Sequence, residues 1–157
     1  TRARALGVEP LSAERAARAI RKLVPMTKNL EICAAAGVMG ADLARNLGFT
    51  VESVGSAGVE TASEDTRAAA GEMARRDLDL LLFAGGDGTA RDILEAAPDL
   101  PLLGVPTGVK MHSAVFAASP EAAGLVVAEM LSGSPARWRS AEVMDIDEDL
   151  LRDGHVA

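Results

Sequence analysis

At 157 residues, 48% hydrophobic and 25% charged, the chain has the length of one domain and the composition of a soluble globular fold. A formal charge of −7, no Tyr, one Trp and three Phe argue against nucleic-acid binding, which needs clustered Lys and Arg for phosphates and aromatics for stacking. The single cysteine, Cys33, excludes an intrachain disulfide and a cysteine-based metal cage; with no signal-peptide order and no apolar run near the roughly 20 residues of a membrane span, the expectation is a cytoplasmic protein without membrane contact.

The first element expected is a helix over 12–24, with Ser12 as N-cap, Glu14 in the first turn and Pro25 as its stop. Residues 30–35 (LEICAA) read as a short buried strand, in which Cys33 packs. Residues 37–47 read as a helix stopped by Gly48, and 49–54 (FTVESV) as a second strand. Thr61-Ala62-Ser63-Glu64 is a capping box opening a helix over 62–75. Residues 78–84 (LDLLLFA) have the near-continuous apolar texture of a strand covered on both faces. A short helix over 89–96, an apolar strand over 102–105 and a helix over 110–118 follow. Ser119-Pro120-Glu121 then supplies an N-cap, a proline at the first helical position and an acid in the first turn, starting a helix to about 131. After the breaker cluster 132–135 the texture changes, with a strand over 138–146 and an acidic turn or short helix over 147–154. The acids Asp145, Asp147, Glu148 and Asp149 lack the spacing of a calcium loop and read as a solvated turn.

Strands alternating with helices predict crossover connections and a parallel sheet, an α/β fold of Rossmann-like type. The expected division is an α/β domain over 1–136 and the start of a second domain over 137–157. A doubly wound domain ordinarily begins with a strand, and none is read before the first helix. Both ends therefore read as cut from a longer gene product.

The chemistry gathers where the strand at 78–84 runs into Gly85-Gly86-Asp87-Gly88-Thr89. Ligands of open parallel sheets bind beyond the carboxyl ends of the strands. Glycine there lets a ligand approach the main chain without a Cβ in the way. The helix that follows offers N–H groups and a positive dipole end to phosphate. An acidic protein can bind phosphate in this way, through backbone donors or Mg²⁺. Asp87 is the odd residue, because a carboxylate repels phosphate. Either a Mg²⁺ bridges the two, or the Asp accepts the proton of an acceptor hydroxyl in a loose phosphoryl-transfer transition state. The simpler reading is an Asp-Gly turn with Asp87 as a cap. The strand at 102–105 ends in a second loop, Pro106 to Ser113, expected at the same sheet edge. Lys110, His112 and Ser113 could supply charge and donors there; a solvated lysine and a capping or core histidine are the plain alternatives. Arg91 could reach phosphate or be a surface arginine, and Met111 and Phe116 read as core. No Walker A loop, G-x-G-x-x-G fingerprint, metal-spaced His pair or G-x-S-x-G elbow occurs.

GGDGT at a strand end, followed by a loop with P-x-G, resembles the superfamily of NAD kinases, diacylglycerol and sphingosine kinases and 6-phosphofructokinases. The stretches TASEDT (61–66), FAGGDGTARD (83–92), GVPTGVKMHSAVFA (104–117) and EVMDIDE (142–148) look like its ATP-NAD kinase/acetoin-catabolism protein X branch. The resemblance implies a three-layer α/β domain with ligand held in a cleft to a β-rich second domain. It implies Asp87 as the essential acid, orienting the acceptor hydroxyl or working through Mg²⁺. Gly85, Gly86, Gly88 and Thr89 would line the phosphate loop, with Thr107, Gly108 and Lys110 facing the same ligand from the second loop. Asp65 and Thr66, at a helix start that could approach the crevice, join the candidate binding residues, although a plain capped helix also accounts for them.

The implied reaction phosphorylates the 2′-hydroxyl of NAD with ATP or polyphosphate and Mg²⁺, in a protein expected to be a homo-oligomer. Where lipid-kinase relatives carry an Asn-Asp pair after the second-loop glycine, this chain has Met111 and His112, which argues against a lipid substrate. The family's opening strand and the body of its β-rich domain are not read here. The alternatives are a nucleotide-binding sensor or accessory protein of acetoin catabolism, and a kinase of another small acceptor.

Overall fold

A computed structural model describes residues 8–28, 30–55, 63–107 and 113–133. Thr61 of the capping box, second-loop residues Gly108, Lys110, Met111 and His112, and the features expected of 137–157, second domain included, lie outside the described residues.

The described elements run α1 (Val8–Arg21), β1 (Ile32–Ala35), α2 (Ala41–Asn46), β2 (Val51–Val54), α3 (Ser63–Ala74), β3 (Leu81–Gly85), α4 (Asp87–Ala96), β4 (Leu102–Pro106) and α5 (Pro120–Leu131). Short 3₁₀ turns cover Val24–Met26 and Gly37–Met39. The α/β alternation is as expected. Among the described residues all strand pairing is parallel, and the strands form two separate pairs, β1 with β2 and β3 with β4.

The strands lie between two layers of helix, and the period-2 alternation of side chains accounts for this. Leu81 and Phe83 pack into one core with Ala69, Ala70 and Met73 of α3 and Ala90 and Ile93 of α4. Leu82 and Ala84 point the other way, against Ala19 of α1 and Ala123 of α5. Ile32 and Val51 face Leu23, Ala44 and Val127, whereas Cys33, Ala35 and Val54 join the α3–α4 side. Cys33 is half-buried, and that burial raises its thiol pKa.

Several boundaries differ from expectation for identifiable reasons. α1 starts at Val8, so Ser12 lies within the helix and does not cap it. Pro10 falls in the first turn, where its missing N–H is not needed. Gly48 ends α2 as expected, at φ +95°. Ser119 caps α5, its hydroxyl accepting from the Ala122 N–H at 3.1 Å.

The described part of the expected 110–118 helix is not helical. Residues 115–117 instead run beside β4: the Gly104 N–H donates to Val115 (2.9 Å), and the Ala117 N–H donates to Gly104 (3.0 Å). Gly104 makes this approach possible, because a Cβ there would stand 2.5 Å from Phe116 Cδ1 and 3.0 Å from Phe83 Cζ. Phe116 belongs to the core as expected, meeting Phe83 edge to face at 5.5 Å.

Candidate functional site

The two loops singled out in the sequence leave neighbouring strand ends. In the β3–β4 register Gly85 sits opposite Pro106, so GGDGT and Thr107 emerge side by side at the carboxyl edge. The second loop is also tied on its return, through Val115 and Ala117 to Gly104. Its excursion therefore starts and ends beside β3 and β4.

α4 begins two residues earlier than expected, at Asp87, with Gly86 as its N-cap. Gly86 is extended (φ −109°, ψ −166°), and the first described i→i−4 bond runs from the Ala90 N–H to the Gly86 carbonyl at 3.1 Å. The N–H groups of Asp87, Gly88 and Thr89 precede that bond, as at any helix start. None of the three loop glycines has positive φ, so a left-handed turn is not their reason. At Gly85 the reason is space: a Cβ would lie 2.6 Å from Thr89 Oγ1 and 2.8 Å from Thr89 Cβ. Thr89 folds back over the strand end, and only a glycine leaves room for it. Gly88 is exposed, and among the described residues a Cβ there meets nothing within 4 Å.

The N-cap of α4 is Gly86, which makes no side-chain cap bond, and Asp87 Oδ1 accepts the backbone N–H of Ser113 at 2.8 Å. The carboxylate therefore clasps the second loop to the first. Ser113 is buried at this clasp. Arg91 is half-buried on α4.

Asp65 and Thr66 are half-buried in the first turn of α3. That turn is tied to the second turn of α4 by Asp92, a carboxylate only 7% exposed. Asp92 accepts from Ser63 Oγ and from Arg67 Nη2, both at 2.8 Å, and Arg67 Nε lies 3.3 Å from Glu95. Sequence reading assigned Asp92 no role. Its partners lie 25 and 29 residues away, beyond any local pattern.

Arg15 was missed as well. From α1 its Nη1 donates to the Pro106 carbonyl at 3.3 Å, across 91 residues.

This geometry joins a glycine-lined helix start, an anchored carboxylate and a second loop at adjacent parallel strand ends. The model of the ATP-NAD kinase N-terminal domain family matches residues 8–134. The chain belongs to the NAD kinase family. No curated protein and no solved structure matches it. The family match spans both loops, all four strands and the five helices α1 to α5, so the described site sits wholly within the NAD kinase domain. Among the described residues there is no cluster of three or more metal-ligating side chains, and no helix is long and apolar enough to cross a membrane.

Proposed function

We propose that this NAD kinase domain transfers a phosphoryl group from ATP or polyphosphate to the 2′-hydroxyl of NAD, giving NADP. The observation that carries the reading is the clasp between Asp87 and Ser113, which holds a carboxylate between two loops at paired strand ends inside a matched NAD kinase domain.

In this reading Gly86, Gly88 and Thr89 present the first-turn N–H groups of α4 to phosphate oxygens, with Gly85 keeping Thr89 folded back. Thr107, Gly108 and Lys110 approach the same ligand from the second loop, and Asp65 and Thr66 from the start of α3. Asp87 orients the acceptor hydroxyl and takes up its proton as the oxygen attacks. A loose phosphoryl-transfer transition state asks for orientation more than for a strong base, which suits a carboxylate whose direction is set by a backbone donor. Mg²⁺ commonly takes one or two protein carboxylates and completes its shell with substrate phosphates and water. In the alternative role Asp87, beside the exposed Gly88, fits that pattern. When bound, the ion would neutralise phosphate charge.

The protein is further proposed to work in the cytoplasm as a homo-oligomer, with nucleotides as its partners. The test offers NAD with ATP or with polyphosphate, in Mg²⁺, and detects NADP with an NADP-specific dehydrogenase. NADP formation with either donor is the expected result. Nucleotide binding without any phosphorylated product would replace this reading with a sensor, and donor consumption that needs a different acceptor would replace NAD.

A further inference from the structure

Arg15 stands out on the α1 side of the sheet. It lies one turn before Ala19, which is fully buried against Val105 and Ala123, and its side chain runs to the carboxyl end of β4. There Nη1 donates to the carbonyl of Pro106, the residue in register with Gly85. Its Nε is buried and has no hydrogen-bond partner among the described residues. Buried donors are almost always partnered, so an unmatched one needs an explanation. A guanidinium carries five donors in a rigid fork that matches phosphate oxygens. This fork is held beside the point where both candidate loops leave the sheet.

We infer that Arg15 holds a phosphate group of the ligand bound at the GGDGT loop. The inference rests on the phosphate-binding reading of that loop. The Pro106 carbonyl fixes the guanidinium at one nitrogen, and the ligand phosphate accepts from the rest of the fork. Arg15 thereby adds a permanent positive charge to a site whose anchored side chain, Asp87, is negative. The phosphate belongs either to ATP or to the pyrophosphate of NAD.

The test measures dissociation constants for ATP, NAD and adenosine by NMR titration, which reaches millimolar affinities. Wild type is compared with Arg15→Met and Arg15→Lys, and the ligand-free melting temperature of each is recorded. Loss of one charge-assisted contact is expected to weaken the ligand that Arg15 holds by about ten- to a hundredfold in Arg15→Met. Adenosine affinity stays unchanged, and the ATP and NAD arms identify the phosphate. Arg15→Lys keeps a cation and a donor for Pro106, so it folds like wild type and shows a smaller loss confined to the same ligand. Unchanged ATP and NAD affinity in both variants would overturn the inference. So would an equal loss for all three ligands, which marks Arg15 as a strut for β4. Wild-type protein that binds neither ATP nor NAD would remove the proposed function itself, and the inference with it.

Discussion

The two helix layers are each fastened by an arginine–carboxylate pair, and the pairs are built differently. On the α1–α5 side, Arg18 meets Glu121 through two bonds of 2.5 and 3.0 Å, but both side chains are a little over a third exposed. The helices there are held by close apolar approach: a Cβ on Gly124 would collide with the Ala19 carbonyl, and Ala19 and Ala123 are fully buried. On the α3–α4 side the carboxylate itself is buried, and Asp92 takes Ser63 and Arg67 together. Exposed pairs contribute little to stability, whereas losing one member of a buried pair strands the others. The layer that carries Asp87 thus adds a directional polar tie to its apolar core. The opposite layer relies on shape.

The largest break in this contrast is Asp92→Ala. It removes the acceptor that Ser63 and Arg67 share and should destabilise the fold by about 2–3 kcal/mol, below the full cost of a broken buried pair because Arg67 is 40% exposed and keeps Glu95. Urea unfolding measures this, and a loss no larger than that of an exposed pair would erase the distinction. Next comes Gly124→Ala, which pushes α5 off α1 and should cost about 1–3 kcal/mol by overpacking. An unchanged melting temperature would show that the α1–α5 contact is not limiting.

The smallest effect belongs to Glu121→Gln. The Arg18 hydrogen bond holds the Glu121 carboxyl below its ordinary pKa. A depressed folded pKa contributes stability above the unfolded value, about 4.3, and that stability is lost as pH falls through the folded pKa. The difference between wild type and Glu121→Gln should therefore be slight at pH 7 and vanish in acid. A difference that grows on acidification would reverse the sign.

Sequence periodicity made the helix–strand order legible, because buried faces repeat at 3.6 or 2 residues. It overran the strand starts at Leu30, Phe49 and Leu78, since pairing begins only where a partner strand exists, at Ile32, Val51 and Leu81. The GGDGT loop was legible because its residue types are wrong for a strand. The helix expected over 110–118 failed because Val115 and Ala117 bond to Gly104, a tertiary pairing that apolar spacing cannot reveal. The same limit hid the partner of Asp87, a backbone N–H that any residue type could offer, and the reach of Arg15 to Pro106.

The most direct measurement is ³¹P NMR of the protein with NAD, ATP or polyphosphate and Mg²⁺, beside Asp87→Asn. Asparagine keeps an oxygen for the Ser113 N–H and removes the charge, so the clasp survives while the proton acceptor is lost. A new 2′-phosphate signal in wild type, formed about 10²- to 10⁴-fold more slowly by a folded Asp87→Asn protein, is the predicted result. Equal rates in the two proteins would contradict the role given to Asp87.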